Sequence, residues 1–167
     1  MGHDLNLAPE TPDDAWEIEA LLDTAFAPGR TGLSSYRLRE GVAPVAELCL
    51  TARDAHAPFA LAGTIRFWPV RIGEAGHAAL LLGPVAAHPT RQGEGVGGAL
   101  ILEALERAVP LGWERCVLIG DEPYYARWGF RRAELGFPPP TNPARVLARP
   151  LVEGGMDGVG GEVRRWS

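Results

Sequence analysis

Four glycines, Gly93, Gly95, Gly97 and Gly98, fall within six consecutive positions between the apolar run AALLLGPVAA and the helix-like run ALILEALERA. A strand, a glycine-rich turn and a helix in that order present backbone N–H groups at a positive helix end, which favours an anion. Several readings of this turn compete. A Walker A loop is excluded, because no Gly-Lys-Ser/Thr follows and all sixteen basic residues are arginines. The same lack of lysine excludes a catalytic Lys or a Schiff base. The spacing Gly93-x-Gly95-x-x-Gly98 matches the dinucleotide fingerprint. In that fingerprint, however, the first glycine follows its strand almost directly inside a repeated βαβ unit. Here HPTRQ intervenes. A plain turn without a ligand remains open, but such a turn needs fewer glycines than these.

The flanking segments give a fold. TPDDAWEIEALLDTAFA starts with Thr11 as a cap and Pro12 at the first helical position. Trp16, Ile18, Leu21, Leu22 and Phe26 make its apolar stripe. SSYRLREG predicts a second short helix stopped at Gly41, after a loop, APGRTGL. AELCLTARD and FALAGTIRFWPVRI alternate like strands joined at AHAP, hence antiparallel. After the turn GEAG, HAALLLGPVAA is apolar on both faces and so central in the sheet. Gly83-Pro84 should bulge or splay it, since proline cannot donate to the ladder. A helix from about Gly97 to Val109 follows, buried through Ile101, Ala104, Leu105 and Ala108. Then come the strand RCVLIG, a short helix DEPYYARW between Asp121 as cap and Gly129 as stop, and the strand GFRRAEL. RVLARPLVEGG and GGEVRRW supply a final strand pair, the second an edge segment. The expected fold class is α/β (α+β): one mixed, mostly antiparallel sheet with flanking helices.

At 167 residues the chain fits one domain, 1–167, with a core of about 5–151 and an extension over 152–167. A formal charge of -5 argues against a general nucleic-acid surface. Cys49 and Cys116 lie in apolar runs and read as buried free thiols. No zinc-spaced cluster and no metal site is expected. Without a signal-peptide core or an apolar run of about 18 residues, the expected location is cytoplasmic, with no membrane partner.

The stretch VAAHPTRQGEGVGGALI resembles the acyl-CoA signature of the GCN5-related N-acetyltransferase (GNAT) superfamily, Gln/Arg-x-x-Gly-x-Gly/Ala, here Gln92 to Gly97. PYYARWGF, about 30 residues on, is similar to that family's FYxxxGF element. The order of elements matches from about Leu5 to Leu151. LLLGPVAAHP and GDEPYYARWGF look like a bacterial subgroup of predicted acetyltransferases. The resemblance implies acetyl-CoA as cofactor and a primary amine, on a small molecule or a peptide, as acceptor. It also implies a homodimer. Physical chemistry fits a coenzyme A pyrophosphate. N–H groups of residues 93–98 can converge on it, with no Cβ at the glycines to block approach. The candidate cofactor residues are Val85, Ala86, Ala87, Arg91, Gln92, Gly93, Gly95, Val96, Gly97, Gly98 and Tyr124. Glu94 should point to solvent. The peptide-like pantetheine arm is expected to pair with Val85–Ala87, opened by Gly83-Pro84 away from RCVLIG.

By the same resemblance Tyr125 is the acid for the departing thiolate. Many relatives carry a glutamate on the central strand, and ALLLGPVAA has none. Glu47, His77 and His88 are the candidates for a base, beside a water chain or an already neutral amine. Substrate choice is placed on residues 26–40 and on the strand bearing Arg66, Phe67 and Trp68. Arg30, Tyr36, Arg66 and Trp68 are the candidate contacts, and Arg30, Tyr36, Arg37 and Arg39 could bind an acidic group. Two alternatives stand beside the transferase: an acyl-CoA-binding sensor or interaction module, and, more remotely, a nicotinamide-dependent oxidoreductase.

Overall fold

A computed structural model describes residues 4–26 and 34–167. Its frame is one mixed sheet. The strands are β1 (Leu5–Pro9), β2 (Leu50–Asp54), β3 (Ala57–Ile72), β4 (His77–Ala87), β5 (Arg115–Ile119), β6 (Arg131–Arg132), β7 (Leu135–Gly136), β8 (Val146–Pro150) and β9 (Gly161–Arg165). They run in the order β1-β2-β3-β4-β5-β8-β6, and β9 joins β3 to β7. Pairing is antiparallel except for β4 with β5 and β7 with β9. Four helices are described: α1 (Ala15–Ala25), the single turn α2 (Ser34–Arg37), α3 (Val96–Ala108) and the single turn α4 (Glu122–Tyr125).

β3 and β4 form the spine. β3 is long enough to serve two partners on one side. β2 covers it as far as Ile65, and β9 covers Val70 to Ile72. The last two long strands therefore do not pair with each other, as the sequence pattern implied. β8 lies between β5 and β6, while β9 fills the length of β3 that β2 leaves bare. β1 is a strand that the sequence pattern does not reveal. LNLAP is short and ends in proline, and its partner β2 lies more than forty residues away.

α3 packs on one sheet face through Val96, Leu100, Ile101, Ala104, Leu105 and Ala108, against Phe67, Leu80 and Cys116 among others. Burying a side chain the size of Leu100 or Ile101 contributes roughly 1.5–3 kcal/mol. The opposite face is covered in two parts. α1 supplies Ile18, Leu21 and Leu22 against Leu61 and Ala86. Leu38, Phe137 and Val163 close over Val70, Leu81 and Val117. Trp16 departs from the expected stripe. It is 75% exposed, beside a groove that Ala60 and Leu61 also line. α1 is held to the sheet by polar contacts as well: Arg53 on β2 pairs with Asp14 and Glu17 at 2.9 Å each. Asp14 also accepts the backbone N–H of Thr11 at 2.7 Å. Among the described residues no helix is long and apolar enough to cross a membrane.

Candidate functional site

The central strand breaks where proline demands it. Ile65 faces Val85 and Phe67 faces Leu82, so Gly83 and Pro84 together oppose Arg66 in a β-bulge. The Trp68 indole donates to the Gly83 carbonyl at 2.8 Å and pins the bulge. On its other side β4 pairs with β5 at two positions, Leu80 with Cys116 and Leu81 with Val117. Beyond them β4 bends away, while β5 continues along β8 to Ile119. The result is a wedge-shaped gap between two parallel strands.

The backbone of β4 facing this gap alternates. His88 donates to Ala62 on β3 at 2.8 Å, which makes Gly63 and Ala87 a non-hydrogen-bonded pair. By the same alternation Ala86 bonds to β3, and Val85 and Ala87 turn their N–H and C=O groups into the gap. Of the three residues expected at this edge, two offer their backbone and Ala86 contributes only to the wall. Gln92 Nε2 donates to the Ala87 carbonyl at 3.3 Å.

A cleft of about 490 Å³ follows the gap. Its floor is the glycine turn. Gly95 takes a left-handed conformation, φ 80°, as the N-cap of α3. The first helical bond is that of Ala99 to Gly95, so the N–H groups of Val96, Gly97 and Gly98 have no acceptor within the helix. A Cβ on Gly98 would stand 2.6 Å from the Trp128 ring, so only glycine lets the aromatic wall close on α3. That wall is Tyr124, Tyr125 and Trp128, with Tyr124 edge-on to both others at 4.9 Å.

Arg91 lines the cleft and is tethered by Glu94 and, at 3.4 Å, by Asp54. Its Nη2 is buried with no hydrogen-bond partner among the described residues. Glu94 thus does not simply point to solvent; it orients Arg91. An orphaned buried donor, open helix-end N–H groups and a floor without side chains suit a diphosphate.

A second pocket, about 130 Å³, opens on the other side of the bulge. Phe26, Val85 and Tyr125 line both cavities. Tyr125 follows the turn α4, where Asp121 accepts from the N–H groups of Tyr124 and Tyr125 with its backbone carbonyl rather than by a side-chain cap. Burial, reinforced by Tyr124, pushes the Tyr125 phenol up to about 12, against the opposing charge of Arg145. At neutral pH it is a hydrogen-bond donor.

The remaining candidates are scattered. Tyr36 lines the second pocket, and Trp68 lies behind the bulge. Arg66 is held by Glu10 at 3.1 Å and Glu19 at 3.1 Å, which offsets its charge. Arg30 lies outside the described residues. Glu47 is exposed on a 3-10 turn, and His77 begins β4 at the end away from the bulge. His88 contacts Thr90 at 2.8 Å and lines the groove beside Trp16. None of these three lines either cavity. Sequence reading missed the part played by Asp54 at Arg91, because the two are 37 positions apart and joined only by the fold.

No family model matches the chain. A curated relative, the uncharacterized N-acetyltransferase YjhQ of Escherichia coli strain K12, is 37% identical over 62 residues, 36% of this chain. The match spans about a third, 34%, of that protein's length. The GNAT family N-acetyltransferase YhbS from Escherichia coli, in complex with CoA, has a TM-score of 0.83 and 25% identity, covering 99% of this chain and 92% of that one. A GNAT family acetyltransferase from Brucella melitensis, in complex with acetyl-CoA, has a TM-score of 0.73 and 31% identity. That alignment covers 99% of this chain and 97% of the other. With identity at this level along nearly the whole of both chains, and with the glycine turn and split strand in place, this chain belongs to the GCN5-related N-acetyltransferase family.

Proposed function

We propose that the chain moves the acetyl group of acetyl-CoA to a primary amine by direct attack. One observation carries this reading: two cavities meet across the gap between β4 and β5, with Tyr125 in the wall of both. The donor belongs in the larger cleft. There the N–H groups of residues 93–98, with Gln92 and the orphaned Nη2 of Arg91, would hold the pyrophosphate. Val85 and Ala87 offer an open strand edge to the peptide-like arm. The solved relatives in complex with CoA and acetyl-CoA support this placement.

Acetyl-CoA supplies the acetyl group already activated as a thioester. The residues of this chain then have two tasks. N–H groups in the gap polarise the carbonyl. Tyr125 donates to the departing sulfur. With its phenol at about 12, it does so by a hydrogen bond that strengthens as charge develops rather than by outright ionisation. No carboxylate or imidazole lines either cavity among the described residues. The amine therefore reaches the gap neutral and loses its proton to water.

The test has two steps. Acetyl-CoA should raise the melting temperature and NAD should not; the reverse result removes the reading. A panel of amines read by thiol release should then show turnover. Binding with no turnover of any amine would leave an acyl-CoA-binding module instead.

A further inference from the structure

Among the described residues that line the cleft over the glycine turn, Arg91 and Arg127 are the charged ones, and both are cations. In a chain of net charge -5 this is a local reversal of sign. Arg91 stands at the glycine turn itself, tethered by Asp54 and Glu94. Arg127 belongs to the opposite, aromatic wall. It lies on the 3-10 turn Ala126–Trp128 that continues α4. The side chain is open to solvent, yet it is held. Its Nε donates to the Tyr124 carbonyl at 3.1 Å, and its guanidinium carbon lies 4.5 Å from the ring centres of both Tyr124 and Trp128. Those rings are packed on the first turn of α3. The Tyr124 hydroxyl is 3.0 Å from where a Cβ on Gly97 would be, and Trp128 occupies the same position at Gly98. The cation is thus carried on an aromatic platform beside the open N–H groups of the helix end. Among the described residues no carboxylate pairs with Arg127. Residues 1–3 and 27–33 contain no Asp or Glu.

Building on the acetyl-transfer reading above, we infer that Arg127 binds the 3'-phosphate of the donor and so sets a preference for coenzyme A thioesters over donors that lack this group. Coenzyme A carries anionic charge in two places, the diphosphate and a separate phosphomonoester on the ribose. The glycine turn, Gln92 and the orphaned Nη2 of Arg91 are matched to the first. The monoester needs a cation of its own, and Arg127 is the one that the cleft has left. A phosphomonoester has a second pKa of about 6, so at neutral pH it is close to a dianion and gains more from a guanidinium than adenine or ribose does. With Nε tied to a carbonyl, Nη1 and Nη2 remain to meet two phosphate oxygens side by side. Because the side chain is already held against two rings, little freedom is lost when it takes up the phosphate. Thioesters of pantetheine or of a carrier-borne phosphopantetheine lack the 3'-phosphate and gain nothing from Arg127.

The experiment is titration calorimetry on the full chain with coenzyme A and with dephospho-coenzyme A, which lacks only the 3'-phosphate. Coenzyme A should bind about tenfold tighter, the scale of one charge-assisted contact. Arg127→Gln should weaken coenzyme A by that factor and leave dephospho-coenzyme A as in the parent, so that the two bind alike. The retained affinity for dephospho-coenzyme A shows at the same time that the variant is folded. Arg127→Lys should keep part of the preference. Arg91→Ala should weaken both compounds together and leave their ratio unchanged. Equal affinity for the two compounds in the parent, or a ratio that survives Arg127→Gln, overturns the 3'-phosphate assignment and leaves the transferase reading standing. Failure of both compounds to bind the parent overturns both.

Discussion

The two sides of the split strand are built from different materials. The cleft over the glycine turn is made of backbone: open N–H groups, a helix end, and positions where a side chain is missing. The pocket beyond the bulge is made of side chains: Phe26, Tyr36 and Arg39, from one stretch of the chain, are brought against Pro84 and Tyr125, which are distant in sequence. A backbone-lined site recognises what is common to every reaction of a family. A side-chain-lined site can change without disturbing the first. This predicts that substitutions on the two sides separate cleanly, and that only the shared wall touches both.

The largest effect belongs to that wall. Tyr125→Phe should lower kcat about 10- to 100-fold, the loss of one hydrogen bond to a developing charge. The KM for acetyl-CoA should stay unchanged. Steady-state kinetics with both substrates varied checks this, and a KM effect alone would return Tyr125 to a packing role. Next, Arg91→Ala should raise the KM for acetyl-CoA about tenfold with little change in kcat. It removes a cation and leaves Asp54 and Glu94 beside the cleft proposed to hold the pyrophosphate. If the acceptor KM moves instead, the division between the two sides is wrong.

The pH dependence sharpens the same contrast. With no carboxylate or imidazole among the described residues lining either cavity, kcat/KM should climb with pH toward the ordinary pKa of the acceptor amine. Because the Tyr125 phenol lies at about 12, no falling limb from its ionisation should appear below pH ~10. A plateau near pH 7 would reveal an imidazole or carboxylate acting on the amine.

A smaller effect lies away from both sides. The Thr11 N–H, followed by Arg53, holds the Asp14 carboxyl below its ordinary 3.8. Its stabilisation is therefore complete above pH 3.8 and is lost as pH falls through the depressed value. Asp14→Asn should cost about 1 kcal/mol at neutral pH in urea unfolding, and the difference from the parent should shrink toward acid. The smallest expected effect is none. Burial pushes the Cys49 thiol up to about 11 and the Cys116 thiol higher still. Neither should react with a thiol reagent at pH 8 in the folded protein, so thiol release from acetyl-CoA can be read without background.

Legibility in the sequence followed the same division. The glycine turn, the breaking effect of Gly83-Pro84 and the tyrosine pair are local patterns, each carrying its own physical reason. What stayed hidden depended on distant partners. Arg66 reads as an available cation until the fold brings Glu10 and Glu19 to it, 56 and 47 positions away. Trp16 fits the periodicity of α1, yet periodicity does not say where the opposing surface ends, and Trp16 stands exposed beside the groove. β1 has no apolar rhythm of its own and owes its existence to the edge of β2. The terminal segment looked like an appendage, and its strand β9 completes the far end of β3.

The alternation along β4 has a consequence for exchange with solvent. Neighbouring amides there belong to different regimes. Ala86 is locked to β3, while among the described residues no strand pairs with the gap-facing amides of Val85 and Ala87. In deuterated water the free protein should therefore show a fast, slow, fast sequence over three consecutive residues, an interrupted pattern within a strand that lies in the middle of its sheet. A ligand that pairs with this edge would convert it to uniform protection. Isotope labelling would then report occupancy of the gap residue by residue, before any acceptor has been identified.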